Sequence, residues 1–194
     1  TEYYYKHFPC EKLVVTQKIR FDGSNSTDIS FRYTNKENQG YDISVSNTSL
    51  IRQIQIASDA GTDAETLWNL YSSLEALFMI FEGAFWPQET VEFYAKNTYV
   101  EEVGQWFRDH RIEYCDFGSL AKCVSNAFVD YATVLDENLF SRWLRTVESL
   151  DISFKMFLYC LSNIGIPIDV KFALLIETFS PLAVHVSSIK SMGL

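Results

Sequence analysis

Titratable side chains of several types crowd together at one place in this chain, Arg108-Asp109-His110-Arg111, with Glu113 and Asp116 close behind. An imidazole beside carboxylates and guanidinium groups could move a proton at a phosphate, the histidine acting as acid or base and the arginines holding the anion. The same run is what the solvated end of a short helix contains just before a turn, here Cys115-Asp116-Phe117-Gly118, and this is the plainer reading. The other histidines are His7 and His185. His7 stands three residues from Cys10, but a metal site needs three or four ligands and no second half accompanies the pair, so neither metal nor cofactor is expected. His185, beside Leu182 and Val186, reads as a packing histidine. Neither a G-x-S-x-G elbow, nor a P-loop, nor G-x-G-x-x-G occurs.

Cys10, Cys115, Cys123 and Cys160 contain no C-x-x-C pair and are expected to be buried free thiols. The aromatics Tyr3 to Tyr5, Phe85/Trp86 and Trp106/Phe107 could line a cleft that stacks a sugar or a base, although at helical spacing such residues more commonly fill a core. Sixteen basic against 25 acidic residues give a formal charge of −9, and the basic ones are scattered, which argues against a phosphate-tracking surface. The apolar runs fall far short of the ~20 residues that span a bilayer, so no membrane partner is expected and a cytoplasmic setting is. With 47% hydrophobic residues the chain is built for one large or two small packed domains.

Any such site has to be positioned by elements of two kinds. From Lys12 to Ile56 apolar residues alternate with polar ones: Leu13, Val15, Ile19 and Phe21; Ile29, Phe31 and Tyr33; Tyr41, Ile43 and Val45; then Leu50 to Ile56. The intervening segments 22–26 and 35–40 are turn chemistry, so a three- or four-stranded antiparallel sheet is predicted. At Ala60-Gly61 the period changes. Thr62 and Glu65 have capping-box spacing, and Leu67, Leu70, Tyr71, Leu74, Leu77, Phe78 and Phe81 then follow at helical intervals up to Gly83. Phe85-Trp86-Pro87 breaks the pattern, and Val100 to Arg111 predicts a short amphipathic helix. Ser119 is placed to cap another helix, and Asp136 to cap the longest, running to Asn163. Gly165 and Pro167 then separate it from a last helix to Lys190, bent near Pro181.

The stretch Leu67-Trp68-Asn69-Leu70-Tyr71-Ser72-Ser73-Leu74-Glu75-Ala76-Leu77, the run from Phe154 to Leu161, and Pro167 to Phe179 together resemble bacterial ApeA-like HEPN proteins. The resemblance implies a β-rich N-terminal region ahead of a helical HEPN region, in a family associated with RNA cleavage in phage defence. Such ribonucleases carry an arginine and, a few residues later, a histidine on a late helix, commonly at a dimer interface. Here the pattern departs: Arg108 and His110 are too close, and Arg142 and Arg145 precede no histidine before His185. The catalytic pair is therefore expected beyond Leu194, or the chain is a non-catalytic relative.

The sequence thus predicts an α+β protein, a small β-rich region over residues 1–60 followed by a helical array over 61–194 that ends in an antiparallel helical hairpin. No catalytic residue is assigned; Arg108, Asp109, His110, Arg111 and Glu113 are the one candidate polar cluster. The expected role is scaffold or sensor, with a homodimer through the C-terminal helices and RNA as a partner only of the intact protein. The alternative is a non-catalytic protein–protein interaction or oligomerisation module.

Overall fold

The computed structural model describes residues 1–19, 27–48, 50–82, 86–110, 131–149, 156, 160 and 167–177. Its strands are β1 (Pro9–Lys18), β2 (Thr27–Thr34), β3 (Gly40–Asn47), β4 (Ile51–Asp63), β5 (Gln88–Ala95) and β6 (Thr98–Val100). Its helices are α1 (Glu2–Lys6), α2 (Ala64–Glu82), α3 (Glu101–Asp109), α4 (Tyr131–Val134) and α5 (Glu137–Ser149), and residues 168–177 are also helical. The six strands form one antiparallel sheet in the order β2-β3-β4-β1-β5-β6, in an α+β fold. The described residues up to 142 belong to one compact unit, and those from 143 to 177 to another.

The sheet is larger than its alternation predicts, and it does not end where the period changes. β4 runs on through Gly61 to Asp63, and after α2 the chain returns to lay β5 along the free edge of β1. The segment that joins the sheet late was readable only as a break at Pro87. Val91 and Phe93 do alternate, and β5 and β6 meet at Lys96-Asn97, both at positive φ (49° and 61°), as a two-residue hairpin turn requires.

Strand parity dictates the core. One row of cross-strand partners, Phe31-Ile43-Ile56-Leu13-Phe93-Val100, crosses all six strands on the inner face, and the row beside it is Ile29-Val45-Ile54-Val15-Val91. Leu67, Tyr71, Leu74 and Phe78 of α2 are buried in the same unit. The other face carries Lys12, Thr16, Ser44, Gln53 and Gln55 and is largely polar, as one face of an antiparallel sheet commonly is, with Val14 buried between Gln55 and Glu92 as an apolar exception. α3 lies close on β5 because residue 104 is glycine: a Cβ there would overlap the Val91 carbonyl oxygen. Phe107 of α3 packs 5.1 Å from Phe93 and 5.2 Å from Trp68, centroid to centroid. At the β2 end, Phe140 of α5 sits 5.5 Å from both Phe31 and Tyr33.

Two helix starts test the capping expectations. Asp136 Oδ1 accepts the Leu139 amide (2.7 Å), as expected for the cap of α5. At α2 the cap is one residue later than predicted: Asp63 Oδ1 takes the Thr66 amide (2.7 Å), because Thr62 is still paired with Cys10 in the sheet. The helix capped by Ser119, the bend at Pro181 and the turn of the C-terminal helical hairpin lie outside the described residues, as do His185, Cys115 and Cys123.

Candidate functional site

The sequence-predicted cluster lies at the C-terminal end of α3. Arg108 donates to Gln105 Oε1 and to the Glu89 carbonyl oxygen (3.3 Å), and Gln105 Nε2 donates to Asp109 Oδ1 (2.7 Å). The His110 ring stacks on Trp106 at 4.5 Å, and its Nδ1 lies 2.9 Å from the Trp106 carbonyl oxygen. A carbonyl oxygen only accepts, so Nδ1 is the donor in that contact. Trp106 in turn stacks on Tyr5 at 5.5 Å, so α1 and α3 are joined by a ring stack and the predicted aromatic grouping is partly assembled. Arg108 and His110 are two residues apart near the end of one helix, a spacing that points side chains in different directions. Each is engaged with its own partners. Arg111 and Glu113 lie outside the described residues.

His7 and Cys10, the other sequence pair, line an open cleft of about 430 Å³ together with Glu11, Gly61, Asp63 and Lys96. It exists because the β1–β4 register jumps: Cys10 faces Thr62, whereas Lys12 faces Ala57, so residues 58–61 bow out opposite Glu11. Gln39 braces the bow by donating to Ser58 Oγ (3.0 Å) and to the Gly61 carbonyl oxygen (2.8 Å), and Gly61 takes the positive φ of 73° that the bend demands. Burial, with Asp63 and Glu11 adding to it, pushes the Cys10 thiol up to about 12. It is a protonated thiol near neutral pH, hence a poor nucleophile. Asp63 is occupied as the α2 cap. Among the described residues no group of three His, Cys, Asp or Glu side chains is arranged to hold a metal.

A third cluster escaped the sequence reading. Beyond the two apolar rows, the next row of the inner face is polar: Asn47-Arg52-Gln17-Gln88. A bulge where the β1–β5 register shifts between Thr16 and Gln17 brings Gln88, rather than Glu89, opposite Gln17. α2 answers this row with Tyr71, Glu75 and Glu82. Arg52 and Glu82 form an ion pair with each residue only 1% exposed. The guanidinium also donates through Nε to Asn47 Oδ1 (3.0 Å) and lies 4.3 Å from the Phe78 ring centre. The other Glu82 oxygen accepts Trp86 Nε1 (2.8 Å). Glu75 Oε1 accepts the Tyr71 hydroxyl (2.5 Å), Gln17 Nε2 (2.9 Å) and Gln88 Nε2 (3.3 Å). The signal was phase: Gln17, Asn47 and Arg52 stand at the same parity as Val15, Val45 and Ile54. Chemically the network presents no open reacting atom. It fastens α2, by side chains that must find specific partners, to one register of the sheet.

No family model, curated protein or solved structure matches this chain. No described helix is long and apolar enough to cross a membrane.

Proposed function

We propose that this chain is a non-catalytic scaffold or sensor region of an ApeA-like HEPN protein of bacterial phage defence, that it brings copies together, and that RNA is cut by residues outside it. The observation that carries the assembly part is in the helix over residues 168–177. Ile168, Phe172 and Ile176, at intervals of four, are 85%, 64% and 53% exposed and make one apolar stripe. Apolar stripes of this kind on helices mark partner surfaces, and a two-fold pairing of the stripe with itself needs no second protein. Support for the family part is that four strands precede α2 and that α3, α4 and α5 follow the β5–β6 hairpin, with the resembling stretch 67–77 inside α2 and the resembling stretch from Pro167 covering the exposed helix.

Two measurements test this. Light scattering on the purified chain is expected to show self-association that Phe172→Asp weakens; a monomer at about 100 μM removes the assembly part. Incubation with structured and single-stranded RNA, with and without divalent metal, is expected to leave the RNA intact. Cleavage that survives in an Arg108→Ala/His110→Ala variant overturns the non-catalytic reading. The coding sequence past Leu194 separates the two classes of scaffold: an arginine and a histidine a few residues apart support the HEPN relation, and their absence leaves a plain oligomerisation module.

A further inference from the structure

β2 stands at one end of the sheet order, and among the described residues its backbone pairs with β3 alone. An edge strand of 8 residues turns alternate N–H and C=O groups away from its sheet, and those groups are a template for another strand. What is particular to this edge is that its side chains are complementary to themselves. Asp28-Ile29-Ser30-Phe31-Arg32 reads acid, aliphatic, small, aromatic, base.

When two such strands run antiparallel about Ser30, Asp28 of each copy meets Arg32 of the other on the outer face. On the inner face Ile29 of each meets Phe31 of the other. The two-fold axis produces every pair twice. Centring the pairing on Phe31 instead sets Asp28 against Thr34 and Ser30 against Arg32, and centring it on Ile29 sets Asp28 against Ser30; both forfeit the ion pairs. Centring it between residues sets inward side chains against outward ones.

The two charged groups have hydrogen-bonding capacity to spare. Asp28 is exposed and receives the Ser46 hydroxyl on Oδ1 (2.6 Å), leaving Oδ2 without a partner among the described residues. Arg32 uses its Nη atoms on Asp42 (3.0 Å) and Asp59, while Nε donates to nothing among the described residues. Phe31 and Tyr33 pack against Phe140 on the inner face, and among the described residues no strand lies along the outer edge of β2.

We propose that the β2 edge is a homotypic interface, at which two copies of this chain pair antiparallel about Ser30 so that their sheets run into one. The interface shares no residue with the stripe on helix 168–177 and does not depend on it.

The test is sedimentation of chains carrying Phe172→Asp, which disables the stripe. That chain is expected to remain dimeric at about 100 μM, and Asp28→Arg, which sets arginine against arginine, is expected to weaken the dimer at least about tenfold. Arg32→Asp sets aspartate against aspartate and does the same, although it also strips bonds from Asp42 and Asp59. Two outcomes separate pairing from mere damage. A mixture of the two single variants is expected to form heterodimers, and the double exchange Asp28→Arg/Arg32→Asp is expected to recover association to within about threefold of the parent. A Phe172→Asp chain that is monomeric overturns the proposal while leaving the stripe reading intact. Single variants that associate normally, or a double exchange and a mixture that both fail to pair while circular dichroism shows them folded, overturn it as well.

Discussion

The polar row between α2 and the sheet and the polar end of α3 are opposites. At the end of α3, arginine, aspartate and histidine are neighbours in the chain, and the fold gives each separate partners on an exposed surface. In the polar row, residues from four strands and a helix, tens of positions apart, converge into one buried network around a nearly inaccessible ion pair. Adjacency in sequence therefore said little about cooperation here, whereas parity across strands, invisible until the register is known, said a great deal.

Removing charge from the two places therefore has very different effects. Arg52→Ala is expected to cost about 3–5 kcal/mol, since Glu82 is left buried without its cation, and urea unfolding should show it as a shift in midpoint. Replacing both partners together, Arg52→Met with Glu82→Leu, should cost far less than that single change, because no charge is stranded. A loss equal to the single variant's would mean the pair does more than neutralise itself.

Gln17→Leu tests the next level down. It removes a donor to Glu75 and keeps the volume, and a loss of about 1–3 kcal/mol is expected. A neutral result would show that Tyr71 and Gln88 suffice for that carboxylate.

Cys10 supplies a dependence on pH. Its folded value, about 12, lies above the ordinary value of 9.0, so the fold favours the protonated thiol. That contribution is whole below pH 9.0 and is lost as pH rises toward about 12, at about 1.4 kcal/mol per pH unit at most. Melts between pH 8 and about 10.5 should show stability falling less steeply in Cys10→Ala than in the parent. Equal slopes would mean that the thiol is less enclosed than the burial indicates.

The smallest effect is expected at the end of α3. Arg108→Ala and Gln105→Ala each break exposed hydrogen bonds and should change stability by less than about 0.5 kcal/mol. A loss comparable with that of Arg52→Ala would erase the distinction between the two clusters.

What the sequence made legible follows the same division. β1 to β4 were readable because Leu13, Val15, Ile43, Val45, Ile54 and Ile56 alternate and turn chemistry falls between them, and α2, α3 and α5 because their apolar residues keep helical spacing. β5 was not, since its alternation is short, follows Pro87 and ends in Lys96-Asn97, a tight turn without glycine. The predicted cap at Thr62 missed by one residue because pairing with Cys10 outweighed a local capping box. Of the candidate residues, the surroundings of Arg108, Asp109 and His110 became visible only when α1 and β5 were placed beside α3. Gln17, Asn47 and Arg52 belong to no motif, and only the register shows that they continue the inner-face rows of Val15, Val45 and Ile54 as polar residues.

The place of β1 between β4 and β5 also bears on how the chain is made. Leu13 faces Ile56 on one side and Phe93 on the other, so the second edge of β1 has no partner until about 80 further residues have been synthesised, on the order of 4–16 s at ordinary translation rates. Ile56 is made about 43 residues after Leu13, so β1 can pair with β4 well before β5 exists to cover its other edge. The crowded rows of Ile, Val and Phe that make the finished core stable are then also what a chaperone, or a neighbouring nascent copy, would meet first.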